Sequence, residues 1–159
     1  MIETNRILLR QLTLDDADFI FRLVNSPGWI EFIGNRNIGN LAEAKLFIKQ
    51  IKETPQKDYY PIILKENQLP VGLLSFIKRG HLEFPDFGFA MLPEYTRKGY
   101  CFEASSVFLN EFLINHPTIL AITKYNNINS IRLLEKLGFH FQKQTENGEL
   151  LNHYVIGSQ

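Results

Sequence analysis

Two stretches of the 159-residue chain carry residue types whose spacing suits chemistry. The first is Leu92-Pro-Glu-Tyr-Thr-Arg-Lys-Gly-Tyr-Cys-Phe-Glu-Ala104, where a strand pattern gives way to a short basic loop, a glycine and an apolar helical pattern. N–H groups left free at a helix start, with the helix dipole behind them, form a site for anionic phosphates. Gly99 permits close approach of a ligand to the backbone, and Arg97 and Lys98 add positive charge. The same residues also read as a solvated basic turn before an ordinary helix. The second stretch runs from Asn126 to Phe139 and crosses from a strand into a helix. Asn127 and Ser130 stand at that boundary, where they can hydrogen-bond an amide-rich ligand or simply cap the helix.

The elements that must position these stretches follow from the apolar periodicity. Ile7 to Leu12 reads as a strand. Thr13 caps a helix over Leu14 to Asn25, with Asp15 and Asp16 in its first turn and capping-box spacing from Thr13 to Asp16. Ser26-Pro27-Gly28 stops that helix, and Trp29 to Gly39 shows no period. A second helix covers Leu41 to Lys52. Tyr59 to Lys65 and Val71 to Lys78 form a hairpin, and Phe84 to Leu92 is another strand. After the helix opened by Gly99 come a strand over Thr118 to Thr123 and a helix over Asn129 to Leu137, ended by Gly138. Phe139 to Gln144 and His153 to Ile156 are the last strands, joined around the turn dipeptide Asn147-Gly148. With no repeat or linker, residues 1–159 read as one α+β domain. Its mixed, mostly antiparallel sheet of about six or seven strands is flanked by helices.

Composition narrows the function. Seventeen basic residues balance seventeen acidic ones, and the pI is near 6.9, unlike the basic surplus of a nucleic-acid binder. The single cysteine, Cys101, excludes an internal disulfide and fits a reducing compartment. The opening MIETNRILLRQL lacks the pattern of a signal peptide, and no stretch approaches the roughly 20 apolar residues of a membrane span. The expectation is a cytoplasmic protein, monomer or homodimer, with no membrane or nucleic-acid partner. No His, Cys and carboxylate spacing suggests a metal site, and no Gly-x-x-x-x-Gly-Lys-Ser/Thr string marks a nucleotide triphosphate loop.

Together the two stretches resemble the GNAT superfamily of acyl-CoA N-acyltransferases, closest to its ribosomal-protein N-terminal (RimJ/RimL-type) branch. The resemblance spans the chain from ETNRILLRQLTLDDADFIFRLVN to HYVI. It is carried best by the string Asn127, Ser130, Glu135, Lys136, Gly138 and Phe139. The pyrophosphate loop departs from the family pattern: Thr96 replaces a long polar residue, Arg97 a common Gly, and Cys101 a small residue.

The resemblance implies an N-acetyltransferase that moves an acetyl group from acetyl-CoA to a primary amine, on a small molecule or a protein N-terminus, directly within a ternary complex. The strands ending at Leu92 and Thr123 would splay at the cofactor cleft. Phe89, Ala90, Met91 and Leu92 would pair with the pantetheine arm through their backbone. Arg97, Lys98, Gly99, Tyr100, Cys101 and Phe102 would hold the pyrophosphate, and Asn127 would touch the arm near the thioester. A Tyr common in the family is Leu134 here, which makes Ser130 the candidate acid. Asp86 and Glu83 are the candidate bases, with His81 and His153 as alternatives; Cys101 is not expected to be a nucleophile. Trp29, Glu31, Tyr59, Tyr60 and Tyr154 would shape the acceptor pocket, with Phe32 read as core. Leu134 and Thr96 also leave open an acyl-CoA-binding module without activity.

Overall fold

In the computed structural model, which describes residues 1–157, the chain opens with two short antiparallel strands, β1 (Ile2–Glu3) and β2 (Ile7–Leu9). Three helices follow, α1 (Ala17–Val24), α2 (Pro27–Phe32) and α3 (Leu41–Lys52). The meander β3 (Lys57–Leu64), β4 (Pro70–Ile77) and β5 (Asp86–Met91) leads to helix α4 (Tyr100–Phe112). Strand β6 (Thr118–Lys124), helix α5 (Ile128–Leu137) and the hairpin β7 (His140–Glu146) and β8 (Leu150–Gly157) complete it. All eight strands join one sheet in the order β1-β2-β3-β4-β5-β6-β8-β7. Only β5 and β6 are parallel neighbours.

Three local differences from the periodicity have physical reasons. The eighth strand, Ile2–Glu3, is too short to show an alternation, and it exists because its backbone pairs with Leu8 and Leu9. The helix expected from Leu14 begins as a 3-10 turn over Leu14–Asp16, and the α-helix starts only at Ala17. Pro27 does more than stop α1: it is the first residue of α2, where a fixed φ and a missing N–H cost nothing.

Alternation along the strands divides the side chains between two faces. Tyr59, Ser75 and Gly88 stand opposite one another on one face, and Tyr60, Leu74 and Phe89 on the other. The first face packs under α1 and α3, around Ile20, Leu23, Ala44, Ile48 and Leu73. The second packs under α4 and α5, where Phe87, Phe108, Phe139 and Leu134 are each at most 2% exposed. Phe108 stacks on Phe112 at 3.9 Å between ring centroids, and Tyr60 meets both rings edge-on. These aromatic contacts seat α4 on the sheet and so fix where its N-terminus lies.

The corner between β2 and α1 is held by charge. Arg10 donates both Nη groups to the two oxygens of Asp16 at 2.8 Å, and the Thr13 N–H donates to the same carboxylate at 2.9 Å. The Asp16 side chain is only 3% exposed. Burial alone would raise its pKa, but the Arg10 guanidinium and the Thr13 bonds outweigh it and hold the carboxyl below its ordinary value. A depressed pKa in the folded state adds stability above the unfolded value near 3.9, and that stability is lost as pH falls through the folded value. Asp16→Asn should therefore cost about 2 kcal/mol at pH 7 in urea unfolding. The gap to the parent protein should narrow as the pH is taken below about 4; a pH-independent gap would mean that the ion pair is not the cause.

Candidate active site

The parallel strands β5 and β6 pair at a single register position, Asp86 with Leu120, where the Leu120 N–H donates to the Pro85 carbonyl at 2.8 Å. Each is laddered along its other edge, β5 to β4 and β6 to β8. Past that rung they diverge, and the β5 main-chain groups facing the gap have no strand partner. A cavity of about 1060 Å³ fills the opening. It is lined by Tyr59, Ser75 and Asp86 from the α1–α3 face and by Phe87, Phe89 and Tyr100 from the α4 face. It therefore passes through the sheet.

At the α4 end, a 3-10 turn over Pro93–Tyr95 leads into a loop whose backbone reverses twice, with φ of 63° at Arg97 and 80° at Gly99. The first α4 hydrogen bond is Glu103 N–H to the Gly99 carbonyl at 3.0 Å. The N–H groups of Tyr100, Cys101 and Phe102 are thus left without main-chain acceptors at the positive end of a 13-residue helix, which suits an anionic phosphate. Arg6 fastens this loop from the N-terminal strands. It donates to the Lys98 carbonyl at 3.2 Å and to Glu103 at 2.8 Å, and its guanidinium lies 4.6 Å from the Tyr100 ring centroid. The Thr4 hydroxyl donates to the same Glu103 carboxylate.

Most of the expected cofactor residues line the cavity: Phe89, Ala90 and Met91 on β5, and Arg97, Gly99, Tyr100, Cys101 and Phe102 in the loop and helix start. Two do not. Leu92 is 2% exposed in the core, and both its main-chain groups are spent, its N–H on the Val71 carbonyl and its carbonyl on the Tyr95 N–H. Lys98 points outward, its ammonium 5.9 Å from the Tyr95 ring centroid. Cys101 keeps some surface, but burial pushes its thiol up to about 12, so it stays protonated at neutral pH.

At the start of α5 the roles separate cleanly. Asn127 is the N-cap, its side chain accepting from the Ser130 N–H at 3.5 Å. The Ser130 hydroxyl is not the cap, and both residues line the cavity. Gly138 ends the helix at φ 101°, its N–H shared between the Glu135 and Leu134 carbonyls. Leu134 is 1% exposed and packs in the core while touching the cavity wall.

The opposite end gathers Asp86, Tyr59, Trp29 and Phe32. Asp86, 14% exposed, accepts from Arg79 Nε at 3.0 Å. Burial raises its pKa above the usual carboxylate value, and Arg79 and His81 offset only part of that. Burial likewise raises the Tyr59 phenol, with Arg36, Arg79 and Asp86 all close enough to influence it. The buried indole N–H of Trp29 has no acceptor among the described residues.

Several expected residues are not brought here. Glu83 is exposed in the bend before β5 and does not reach the cavity. Glu31 contributes its carbonyl, which accepts from Lys124 Nζ at 2.7 Å, while its side chain faces solvent. Tyr60 points to the α4 face because it neighbours Tyr59 on the same strand. Tyr154 is 4% exposed in the core, and His153 is buried against the Thr145 hydroxyl at 2.8 Å. Phe32, read as core, lines the cavity instead. The sequence reading missed Arg36, Arg79, Lys124 and Ser75. Arg79 was within reach, because pairing of Ile77 with Asp86 carries Arg79 back over that carboxylate.

A sheet opened at one parallel rung, with a phosphate-type helix start beside the opening, suits a long, phosphate-bearing ligand threaded through the sheet. Residues 6–140 match the Acetyltransferase (GNAT) domain family, and the chain belongs to that family. It is an acetyl-CoA-dependent N-acetyltransferase. It is 25% identical over 139 residues to the uncharacterized N-acetyltransferase YnaD of Bacillus subtilis, across 86% of this chain and 81% of that one. Its fold matches a GNAT-family acetyltransferase from Bacillus anthracis with a TM-score of 0.83 and 21% identity, covering 98% and 97% of the two chains. A spermidine N-acetyltransferase from Vibrio cholerae, solved with CoA and spermine, aligns with a TM-score of 0.81 and 17% identity over 97% and 96%.

A β-carbon at Gly99 would sit 3.4 Å from Arg6 Nη2 in a left-handed backbone. Gly99→Val should weaken acetyl-CoA binding about tenfold or more by calorimetric titration, since a left-handed β-branched residue costs upwards of 1–2 kcal/mol. Unchanged affinity would remove this loop from the cofactor site.

Proposed function

We propose that the chain transfers the acetyl group directly to a primary amine within a ternary complex, the amine belonging to a small molecule or to a protein N-terminus. The observation that carries this reading is the cavity's passage through the sheet. A cofactor held at the α4 loop and an acceptor held beside Asp86 and Tyr59 approach the same gap from opposite faces. Acetyl-CoA supplies the activated acyl thioester. The free amine nitrogen forms the C–N bond, the C–S bond breaks, and the proton lost by the amine and the proton gained by the thiolate must each be handled. Asp86 is the proposed base, paired with Arg79 at 3.0 Å and raised in pKa by burial, and therefore a better proton acceptor than a surface carboxylate. Ser130, free of capping duty, is the proposed donor to the thiolate. An acyl-enzyme route has no support, because the Cys101 thiol is un-ionised.

An α-amine acceptor of the kind implied by the RimJ/RimL-type resemblance fits a site walled by Trp29, Phe32 and Tyr59. Among the described residues, no helix is long and apolar enough to cross a membrane. We propose the cytoplasm as the compartment, a reading supported by the single unpaired cysteine. Initial rates with both substrates varied test the route: intersecting double-reciprocal lines support a ternary complex, and parallel lines contradict it.

Activity should rise with pH as Asp86 ionises. Asp86→Asn should lower kcat about 10²- to 10⁴-fold and remove that acidic limb. Arg79→Met removes a group that lowers the Asp86 pKa, so the limb should move to higher pH. A limb that stays in place would assign it to another group. Ser130→Ala should reduce kcat more than acetyl-CoA affinity; equal turnover would strip Ser130 of the acid role.

A further inference from the structure

The charges around the cavity are unequal. Arg36, Arg79, Arg97, Lys124 and Lys136 line it against only two carboxylates, Asp86 and Glu149. Both carboxylates are already paired, Asp86 with Arg79 at 3.0 Å and Glu149 with Lys124 at 3.2 Å. Arg97 lies in the loop before α4, and Lys136 stands 4.1 Å from the Phe102 ring centroid, beside the phosphate end. At the acceptor end one cation has no carboxylate partner among the described residues: Arg36. Its guanidinium lies 5.9 Å from the centroid of the Trp29 ring, a placement that orients a planar fork without neutralising it.

We propose that the acceptor is an amine that also carries a carboxylate, and that Arg36 is the specificity-determining residue that pairs with this anion. The proposal rests on the transferase reading above. A guanidinium fork receives a carboxylate through two parallel hydrogen bonds, whereas a polyamine entering here would meet an unpaired cation and no free anion. The positive field also favours the neutral form of a nearby amine, the form that attacks. Arg36, Arg79, Asp86 and Tyr59 line one cavity, and the three charges all act on the Tyr59 phenol, so the anion-binding group and the proposed base serve the same opening. The carboxylate can be an amino acid's own or an acidic side chain next to a peptide N-terminus, and both sources have the same chemistry.

Two matched pairs of probes separate these sources. One pair is phenylalanine and phenylalaninamide. The other is a C-amidated peptide with glutamate or with glutamine as its second residue. Spermidine is the polycationic control. Binding is measured by calorimetry on the CoA-loaded protein, and kcat/KM by CoA release from acetyl-CoA. In at least one pair the anionic probe should bind, and be acetylated, about ten- to a hundredfold better than its neutral partner. The pair that shows the preference identifies the source. Arg36→Gln should collapse that ratio, chiefly through KM, Arg36→Lys should restore part of it, and Arg36→Glu should tilt the preference towards spermidine. Because Arg36 is exposed on a loop, its variants should keep the parent thermal midpoint. An equal or better response to the neutral member of both pairs, or to spermidine over every anionic probe, overturns the proposal. So does an unchanged ratio in Arg36→Gln, or the absence of saturable binding by either anionic probe. Anion-selective binding without acetylation of any probe would leave the Arg36 assignment standing and would instead sink the transferase reading of this site.

Discussion

A single rung between two parallel strands is the constraint on which the site depends. Were β5 and β6 paired along their length, their edges would satisfy each other and leave no opening. They meet only at Asp86 and Leu120, so the main-chain groups beyond that point must find water or a ligand. The gap is held open from outside: β4 and β8 ladder the far edges, and the aromatic seat of Phe108 and Phe112 fixes α4 against one face. Asp86 itself sits at the rung. The position that fixes where the sheet parts is thus also the one that supplies the proposed base.

The two ends of the opening use different electrostatics. The proposed cofactor end offers main-chain N–H groups and the helix dipole, which need only a correctly turned loop. That explains how Thr96, Arg97 and Cys101 can depart from the family pattern while the loop keeps its shape. The shape is imposed from the N-terminal strands, through Arg6, Thr4 and Glu103. The proposed acceptor end presents side chains, and one of its cations ties separate elements together. Lys124 alone reaches both the Glu31 carbonyl and Glu149.

Legibility in the sequence followed the same division. The strands and helices around the cofactor end were readable because Gly99, Gly138 and Asn127 act locally, through turn, stop and cap. Asp86, Tyr59 and Trp29 line the cavity at which the sequence reading expected them. Tyr60 does not, because the facing of neighbouring strand residues is settled by what α4 packs against it. Tyr154 and His153 failed for a related reason: β8 is an inner strand covered by β7, so its residues at the crossing are buried. Arg36 lay in the aperiodic segment after Trp29, where no pattern marks which side chain turns inward.

The state of Cys101 has a practical consequence for watching the reaction. Colorimetric thiol reagents respond to thiolate, and the chain's only cysteine holds its proton far above the pH of such an assay. The solvent-borne thiol of released coenzyme will be the species that develops colour. Turnover can therefore be followed continuously, with little background from the enzyme and no need to block or remove its one sulfhydryl.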